Sequence, residues 1–600
     1  MLRAGSIRGR HGQPAVKPRN FSETMKRLWR YFGVERKRLM LIFVLVMLSS
    51  GLGLLVPYFI GKAIDAMSLG KMGVDFKTLA AIVGILTAIY VSDVLIVFMQ
   101  GWIMAGLSQR VVYSLRDSLF RKLQRLPVAF FDAHTHGEIM SRLSNDIENV
   151  STTISQSTIQ LMSSIVNIAG AFAMMMVLSP VLTLASIITI PLVLIMTRNV
   201  AKRTSSLFKQ QQAALGKLNG HIEENISGIL VVKAFNREDK IIDEFDDINS
   251  SLCNVGIRAQ IWSGYIMPLM NVINNIGFAV VAAAGGVLAV KDIITIGVIA
   301  SFLSYSRQFA RPLNDIANIF NTLQSAVAGA ERVFDIMDEK EERKDEEGAE
   351  TLADVRGEVE FKNVSFGYKT GVPVLKDIDF AVKPGSTIAL VGSTGAGKTT
   401  IVNLLTSFYE VTEGEILIDG KDIKEYTKDS LRKCFGIVLQ DTYLFSDTVK
   451  ENIRYGKTDA TDEEVMEAAR VANAHQFIAR LPKGYDTKLS EGGINLSQGE
   501  RQLLAIARAI LSNPSILILD EATSSIDTRT ESKIQEAMLT LMKGRTSFII
   551  AHRLSTIKDA DVIMFVDDGK IVESGSHKEL LDKKGKYYRL YSSQFSNIAM

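Results

Sequence analysis

The sequence predicts a two-part membrane protein: a six-helix α-helical transmembrane domain followed by an α/β phosphate-loop domain. Three observations carry that reading. Long runs without a charged residue recur through the first half. A charged stretch, Asp338 to Glu350, then marks a change from membrane-like to soluble composition. In the second half, Gly392-Ser393-Thr394-Gly395-Ala396-Gly397-Lys398-Thr399 fits G-x-x-x-x-G-K-[ST] at every fixed position. The divisions expected are a basic N-terminal segment over 1–38, a transmembrane domain over 39–325, a linker over 326–356 and the phosphate-loop domain over 357–600.

Bulk composition sets the outer bounds. A chain of 600 residues, 47% of them hydrophobic, is too long for one core, so at least two domains are expected. A net charge of +3 argues against a nucleic-acid binder, whose face would be strongly basic. The two cysteines, Cys253 and Cys434, stand far apart and in no C-x-x-C pair. Neither a disulfide framework nor a thiolate metal site is therefore indicated. The N-terminus is basic but lacks a short apolar core with a cleavage site, so no secretory signal is expected.

The first span is Leu39 to Ile60, 22 positions without a charge. At about 1.5 Å per residue it crosses a hydrocarbon core of about 30 Å. A second runs from about Leu79 to Leu107, interrupted by Asp93 alone. Leu161 to Met196 is uncharged but too long for one span, and Ser179-Pro180 supplies a turn, which gives two helices in a tight hairpin. Ile261 to Val290 is the fifth, Lys291-Asp292 marks a turn, and a sixth begins near Ile293. Lys26, Arg27, Arg30, Arg36, Lys37 and Arg38 precede the first span, so the N-terminus is expected on the cytoplasmic side. Six crossings return the chain there. The connections at about 108–153 and 198–260 are long and charged, and read as helical extensions into the cytoplasm.

The second half opens on strand-like alternation at Val359, Phe361, Val364 and Phe366. Gly414 to Gly420 and Val562 to Val572, turning at Asp567-Asp568-Gly569, read as hairpins. The phosphate loop lies between an apolar β-type run, Ile388 to Val391, and a helical run from Thr400 to Leu405. Its glycines let backbone N–H groups curl around phosphate oxygens, and the following helix N-terminus adds partial positive charge. Lys398 is placed to reach β- and γ-phosphates, and the Thr399 hydroxyl to ligate Mg²⁺. Ile516 to Leu519 is a buried-type strand ending in Asp520-Glu521. Lying parallel and next to the phosphate loop, it would set Asp520 at the metal and Glu521 at an attacking water.

At this point the chain resembles the ABC transporters. The motif order matches: the phosphate loop, Gln440 in Val438-Leu439-Gln440-Asp441, Leu496-Ser497-Gln498-Gly499-Glu500, Asp520-Glu521, Ser524-Ser525-Ile526-Asp527, and His552 in Ala551-His552-Arg553. With six spans in front, the chain is similar to a bacterial multidrug-exporter-type half-transporter over about 20–595. The resemblance implies an α/β ATPase domain with a helical subdomain, ATP and Mg²⁺ as cofactors, and a cytoplasmic-membrane location. It implies nucleotide contacts from Tyr368 (adenine stacking), Gly392 to Thr399, Thr400, Gln440, Ser497 and Gly499. Thr399, Gln440 and Asp520 would set the Mg²⁺; Lys398, Glu521 and His552 would serve hydrolysis. One chain supplies half of each ATP site, so the implied unit is a dimer in a lipid bilayer, with no nucleic acid.

The usual signature reads Leu-Ser-Gly-Gly-Gln, whereas here Gln498 replaces the first glycine and Glu500 the glutamine. Both changes would weaken the site this signature completes, while Glu521 and His552 keep the catalytic half. That combination favours one partner of a heterodimeric exporter over a homodimer. By resemblance, Pro127 to Gly137 and Ser227 to Phe235 form short helices that transmit motion to the ATPase domains. His134 and His136 lack the accompanying ligands of a metal site. Asp93 is a candidate for binding cationic substrates. Asn271, Asn274 and Asn275 form a polar stripe at helical spacing that suits interhelical hydrogen bonds. The function expected is ATP-driven export of amphipathic drugs or lipids. The alternatives are an ATP-gated regulatory or channel-like protein, or a peptide exporter, on the same scaffold. Glu521 favours a pump over a gate. The absence of a peptidase segment before the first span disfavours a leader-cleaving peptide exporter.

Overall fold

The apolar runs become long helices. The computed structural model describes residues 18–595 apart from Val34, 69–73, 188, 370, 440–441, 521–526 and 551–556. The chain divides into two units: 1–126 with 134–341, and 127–133 with 342–600.

The first unit is helical. It begins with α1 (Phe21–Gly33), α2 (Arg36–Ser68) and α3 (Phe76–Leu123). The short helix α4 (Val128–Ala133) belongs to the second unit. The first unit resumes with α5 (His136–Ser141), a π-helical turn over Arg142–Asp146, α6 (Ile147–Leu178), α7 (Pro180–Ile187) and α8 (Thr189–Ser227). It ends with α9 (Ile229–Ala234), α10 (Glu238–Gly264), α11 (Ile266–Val290) and α12 (Ile296–Asp338). Among the described residues, four helical stretches are long and apolar enough to cross a membrane: Arg36–Met67, Phe76–Leu123, His136–Leu178 and Glu238–Val290. The six expected spans are therefore not all met by this measure. The hairpin turn does form: Ser179 is extended and Pro180 opens α7, where its missing N–H costs the helix nothing. But α7 has only eight residues, and α12 carries Arg307 and Arg311 in mid-helix.

α12 packs on α6, α2 and α11. Against α2 the two backbones nearly touch, for a Cβ on Gly61 would come within 2.4 Å of the Gly297 carbonyl oxygen. Small residues permit this approach, and polar groups fasten it. Ser301 Oγ donates to the Pro57 carbonyl at 2.8 Å, and Tyr305 donates to the Leu54 carbonyl at 2.5 Å. The Asp65 carboxylate accepts from the Gly297 N–H and the Thr295 hydroxyl, each at 2.8 Å. At the other end, Arg332 forks onto buried Asp146, with N···O distances of 2.8 and 2.5 Å. Arg27 of α1 pairs with Asp338 and lies over the Phe334 ring.

The second unit has two sheets. The four-stranded sheet runs β2 (Leu375–Val382), β1 (Val359–Phe366), β4 (Glu413–Ile418) and β5 (Lys421–Asp422), all antiparallel. The six-stranded sheet has the order β10-β9-β3-β8-β7-β6. Its strands are β3 (Thr387–Val391), β6 (Phe435–Val438), β7 (Ile516–Asp520), β8 (Thr546–Ile550), β9 (Val562–Asp567) and β10 (Lys570–Gly575). Only β10 runs antiparallel, closing the hairpin read at Asp567-Asp568-Gly569. The strand ending in Asp520 is expected next to the one entering the phosphate loop, but it is not its neighbour. β8 lies between them, paired to β3 on one side and β7 on the other. The parallel register still aligns their ends, with Leu390 opposite Ile550 and Ile550 opposite Asp520. One apolar core fills the space between the two sheets, and a second packs the helices on the far side of the larger sheet. The helices used below are α13 (Lys398–Leu405), then α14 (Lys428–Lys433), α15 (Val449–Arg454), α16 (Asp462–Val471), α17 (His475–Ile478) and α18 (Gln498–Ser512).

Candidate functional site

In a parallel sheet, loops at the carboxyl ends of the strands collect functional groups. β3 ends at Val391 and enters the glycine loop. Gly392 sits at φ +154°, where an added Cβ would lie 2.1 Å from the Val566 carbonyl oxygen. Gly397 has φ +111° and caps α13 without any side-chain hydrogen bond, so no side chain covers the first amides of that helix. Such a ring of donors suits a polyphosphate.

Lys398 is buried, and its ammonium donates to the carbonyls of Gly392 at 2.8 Å and Ser393 at 2.9 Å. Burial pushes its pKa down from the ordinary lysine value, and the Asp520 charge works against that shift. The loop lysine and the acid ending β7 thus share one electrostatic site. Ser393, Thr394, Gly395 and Thr399 are exposed, while Ala396 is buried. Among the described residues the Thr399 hydroxyl has no hydrogen-bond partner. Hydroxyl and carboxylate oxygens are hard donors, the kind Mg²⁺ takes. Among the described residues no cluster of three His, Cys, Asp or Glu side chains forms a metal site on its own. Gln440, Glu521 and His552 lie outside the described residues; the strands that lead to them, β6, β7 and β8, end on this same sheet edge.

Tyr368 is half-exposed, and its hydroxyl lies 3.1 Å from Thr400 Oγ1. Thr400 is buried, so its hydroxyl faces Tyr368 and its backbone N–H is what remains for the loop. A neighbour that the sequence did not mark completes this corner. Tyr409 meets the Tyr368 ring edge-on at 5.0 Å and donates its hydroxyl to Asp132 of α4. Desolvation, reinforced by the Asp132 carboxylate, pushes the Tyr409 phenol well above its ordinary pKa. Asp132 lies in the Pro127 to Gly137 segment already singled out, but no spacing rule connects it to Tyr409.

Ser497 is the N-cap of α18, and Glu500 completes a capping box. The Glu500 carboxylate accepts from the Ser497 N–H at 2.9 Å and the Ser497 hydroxyl at 2.8 Å. Glu500 is therefore a helix cap as well as a charge. Gly499 is buried, and Gln498 is half-buried. In the first unit, Asp93 accepts a hydrogen bond from Ser49 Oγ at 2.6 Å. Asn271, Asn274 and Asn275 are exposed on α11.

Comparisons with known proteins agree with this geometry. Residues 39–313 match the family described as the ABC transporter transmembrane region, and residues 375–524 the family described as ABC transporter. The chain is 51% identical to an uncharacterized ABC transporter ATP-binding protein, YfiC, of Bacillus subtilis (strain 168), over 97% of this chain and 96% of that one. It is 40% identical to a fatty acid ABC transporter ATP-binding/permease protein of Mycobacterium bovis, over 96% of this chain and 97% of that one. A solved bacterial Atm1-family ABC exporter with ATP bound superposes with a TM-score of 0.75 at 32% identity, covering 94% of this chain and 99% of the other.

Proposed function

The chain belongs to the ABC transporter family, and from that premise we propose that it exports amphipathic drugs or lipids across the cytoplasmic membrane by alternating access. It joins an ABC transporter transmembrane region to an ATP-hydrolysing domain in one half-transporter, and such half-transporters work as dimers. The observation that carries the proposal is Lys398, seated in the loop with the Asp520 charge acting on it. The N-terminus and the ATPase domain face the cytoplasm in this reading. Relatives named for fatty acid transport support a lipid-like cargo.

In the proposed site, Lys398 and the amides from Gly392 to Thr400 hold the ATP phosphates, and Tyr368 stacks on adenine. Magnesium would neutralise charge across the β- and γ-phosphates, and Thr399, Gln440 and Asp520 would hold it. Glu521 accepts the proton of the attacking water. His552 contacts the γ-phosphate. Ser497 and Gly499 face the ATP held by the partner subunit. The Tyr368–Tyr409–Asp132 contacts link the adenine corner to α4.

The test is Mg·ATPase activity of this chain reconstituted alone, beside Glu521→Gln. The variant is expected to keep ATP binding and lose about 100-fold in turnover, the usual weight of a general base. Robust wild-type turnover stimulated by amphipaths would establish a homodimeric pump and remove the preference for a heterodimer. Folded, ATP-binding protein without turnover would point to a missing partner with an intact signature. Turnover unaffected by Glu521→Gln would overturn the assignment of the base.

Glu500→Gln separates the two roles of Glu500. An amide still accepts from Ser497, so the melting temperature is expected to stay within about 1 °C, since the cap is retained. Removing a negative charge beside a phosphate is expected to raise ATP affinity at the completed site about 3–10-fold at low salt. Equal affinity by nucleotide titration would show that this carboxylate does not face the phosphates.

A further inference from the structure

A cavity of about 720 Å³ opens between α6 and α12 in the first unit. Its polar lining includes Gln160, Ser163 and Asn167 from α6, and Arg307, Gln308 and Arg311 from α12. Among the described residues no carboxylate lines it. Among the described residues, neither guanidinium forms an ion pair. Arg307 lies 5.4 Å above the Phe278 ring of α11, a cation–π contact that orients the group without cancelling its charge.

The placement is unusual in three ways. Arg307 and Arg311 stand at i and i+4, so two like charges share one face of the helix, where they repel. On the export reading, in which α12 is the sixth crossing, they lie about 16 and 22 Å along it from Ile296, within a hydrocarbon thickness of about 30 Å. Intramembrane charges of this kind mark substrate paths when they face a cavity. Thirdly, Gln308 Oε1 is buried between them without a hydrogen-bond partner. Pro312 also has no N–H to offer the Gln308 carbonyl one turn back. The cavity thus presents two cations. Ile159 and the Phe172–Phe309 aromatic pair supply apolar surface on the same two helices.

We infer that this cavity binds the head group of an anionic amphipath, a carboxylate or phosphate monoester on an apolar tail, between Arg307 and Arg311. One anion placed between the guanidinium groups offsets both charges and removes their mutual repulsion. Asp93, the charge read within the second span, is hydrogen-bonded to Ser49 and does not line this cavity. The inference rests on the export reading, since it names the cargo's charge.

The test uses the full chain, nucleotide-free, in phosphatidylcholine nanodiscs. Two fluorescent probes with the same twelve-carbon tail are titrated, one ending in carboxylate and one in trimethylammonium. The carboxylate probe is expected to bind about tenfold tighter, the scale of a desolvated charge pair. Arg307→Ala/Arg311→Ala should erase that preference, and Arg307→Glu/Arg311→Glu should reverse it, a gain that misfolding cannot produce. Unchanged binding of a fluorescent ATP analogue checks that the variants fold. Equal binding of the two probes by wild type, or a preference that survives both variants, overturns the inference. Displacement of the carboxylate probe by inorganic phosphate as readily as by dodecyl phosphate also overturns it, since the site would then take a free anion. ATP-driven flux of the probe, measured separately in vesicles, reads the export proposal. Arginine-dependent binding without flux indicts export and leaves the site standing. Flux independent of both arginines does the reverse.

Discussion

Lys398→Ala is expected to lower ATP hydrolysis about 1,000-fold, the loss typical of removing a preorganised charge from a reacting phosphoryl group. The reason lies in what surrounds the ammonium. It is buried, two loop carbonyls hold it, and Asp520 acts on it electrostatically. Alanine leaves those carbonyls and that acid facing an incoming polyphosphate with no cation to offset them. Both ATP affinity and turnover should therefore fall, unlike Glu521→Gln, where binding persists. Folding should suffer little. Burial opposes the lysine charge in the native state, so deleting it removes a desolvation cost together with two hydrogen bonds. The checks are phosphate release under saturating Mg·ATP and a melting curve without nucleotide. Residual turnover above about a tenth of wild type would mean that the loop amides carry the phosphates without help, against the usual weight of such a charge.

The readable parts of this chain are those in which a local physical rule acts alone. Ile388 to Thr399 is legible because a strand, a loop needing positive φ and a helix start must follow one another there, and Gly392 and Gly397 take those angles. Uncharged runs gave helices because lipid demands that the backbone satisfy itself. The hairpin turning at Asp568-Gly569 formed because both residues accept positive φ. Strand order is a different matter. Nothing local in Ile516 to Asp520 or Thr546 to Ile550 says which of them neighbours β3, and β8 took that place. The Tyr409–Asp132 bond joins residues 277 positions apart, beyond any periodicity. The charge of Glu500 stands out in the signature, but its spacing from Ser497 is that of a capping box. The apolar run near Ile293 marks where a sixth span begins and says nothing of the arginine pair further along α12. Gln440, Glu521 and His552 fall outside the described residues, so their roles rest on motif order and on the strands that lead to them.

Gly392→Ala is expected to destabilise the second unit by about 2–4 kcal/mol, the cost of overpacking against an element that cannot yield. The new Cβ would lie 2.1 Å from the Val566 carbonyl oxygen and 3.1 Å from its carbon. These are backbone atoms, so no rotamer change relieves the contact. β9 pairs with β3, Phe565 opposite Val391, and with β10, Val566 opposite Ile571. Moving it disturbs both pairings and the buried Val566 side chain. At about 2–4 °C per kcal/mol for a domain of this size, melting should fall by about 5–15 °C. Nucleotide binding should fail with it, since the same shift displaces the carbonyl that holds Lys398. Gly395→Ala is the control. Gly395 sits at φ +85° with nothing within 4 Å of its would-be Cβ, so it carries backbone strain alone, about 1 kcal/mol. Calorimetry of the two variants separates steric cost from conformational cost. If both lost the same stability, the contact with β9 would not be what makes position 392 a glycine.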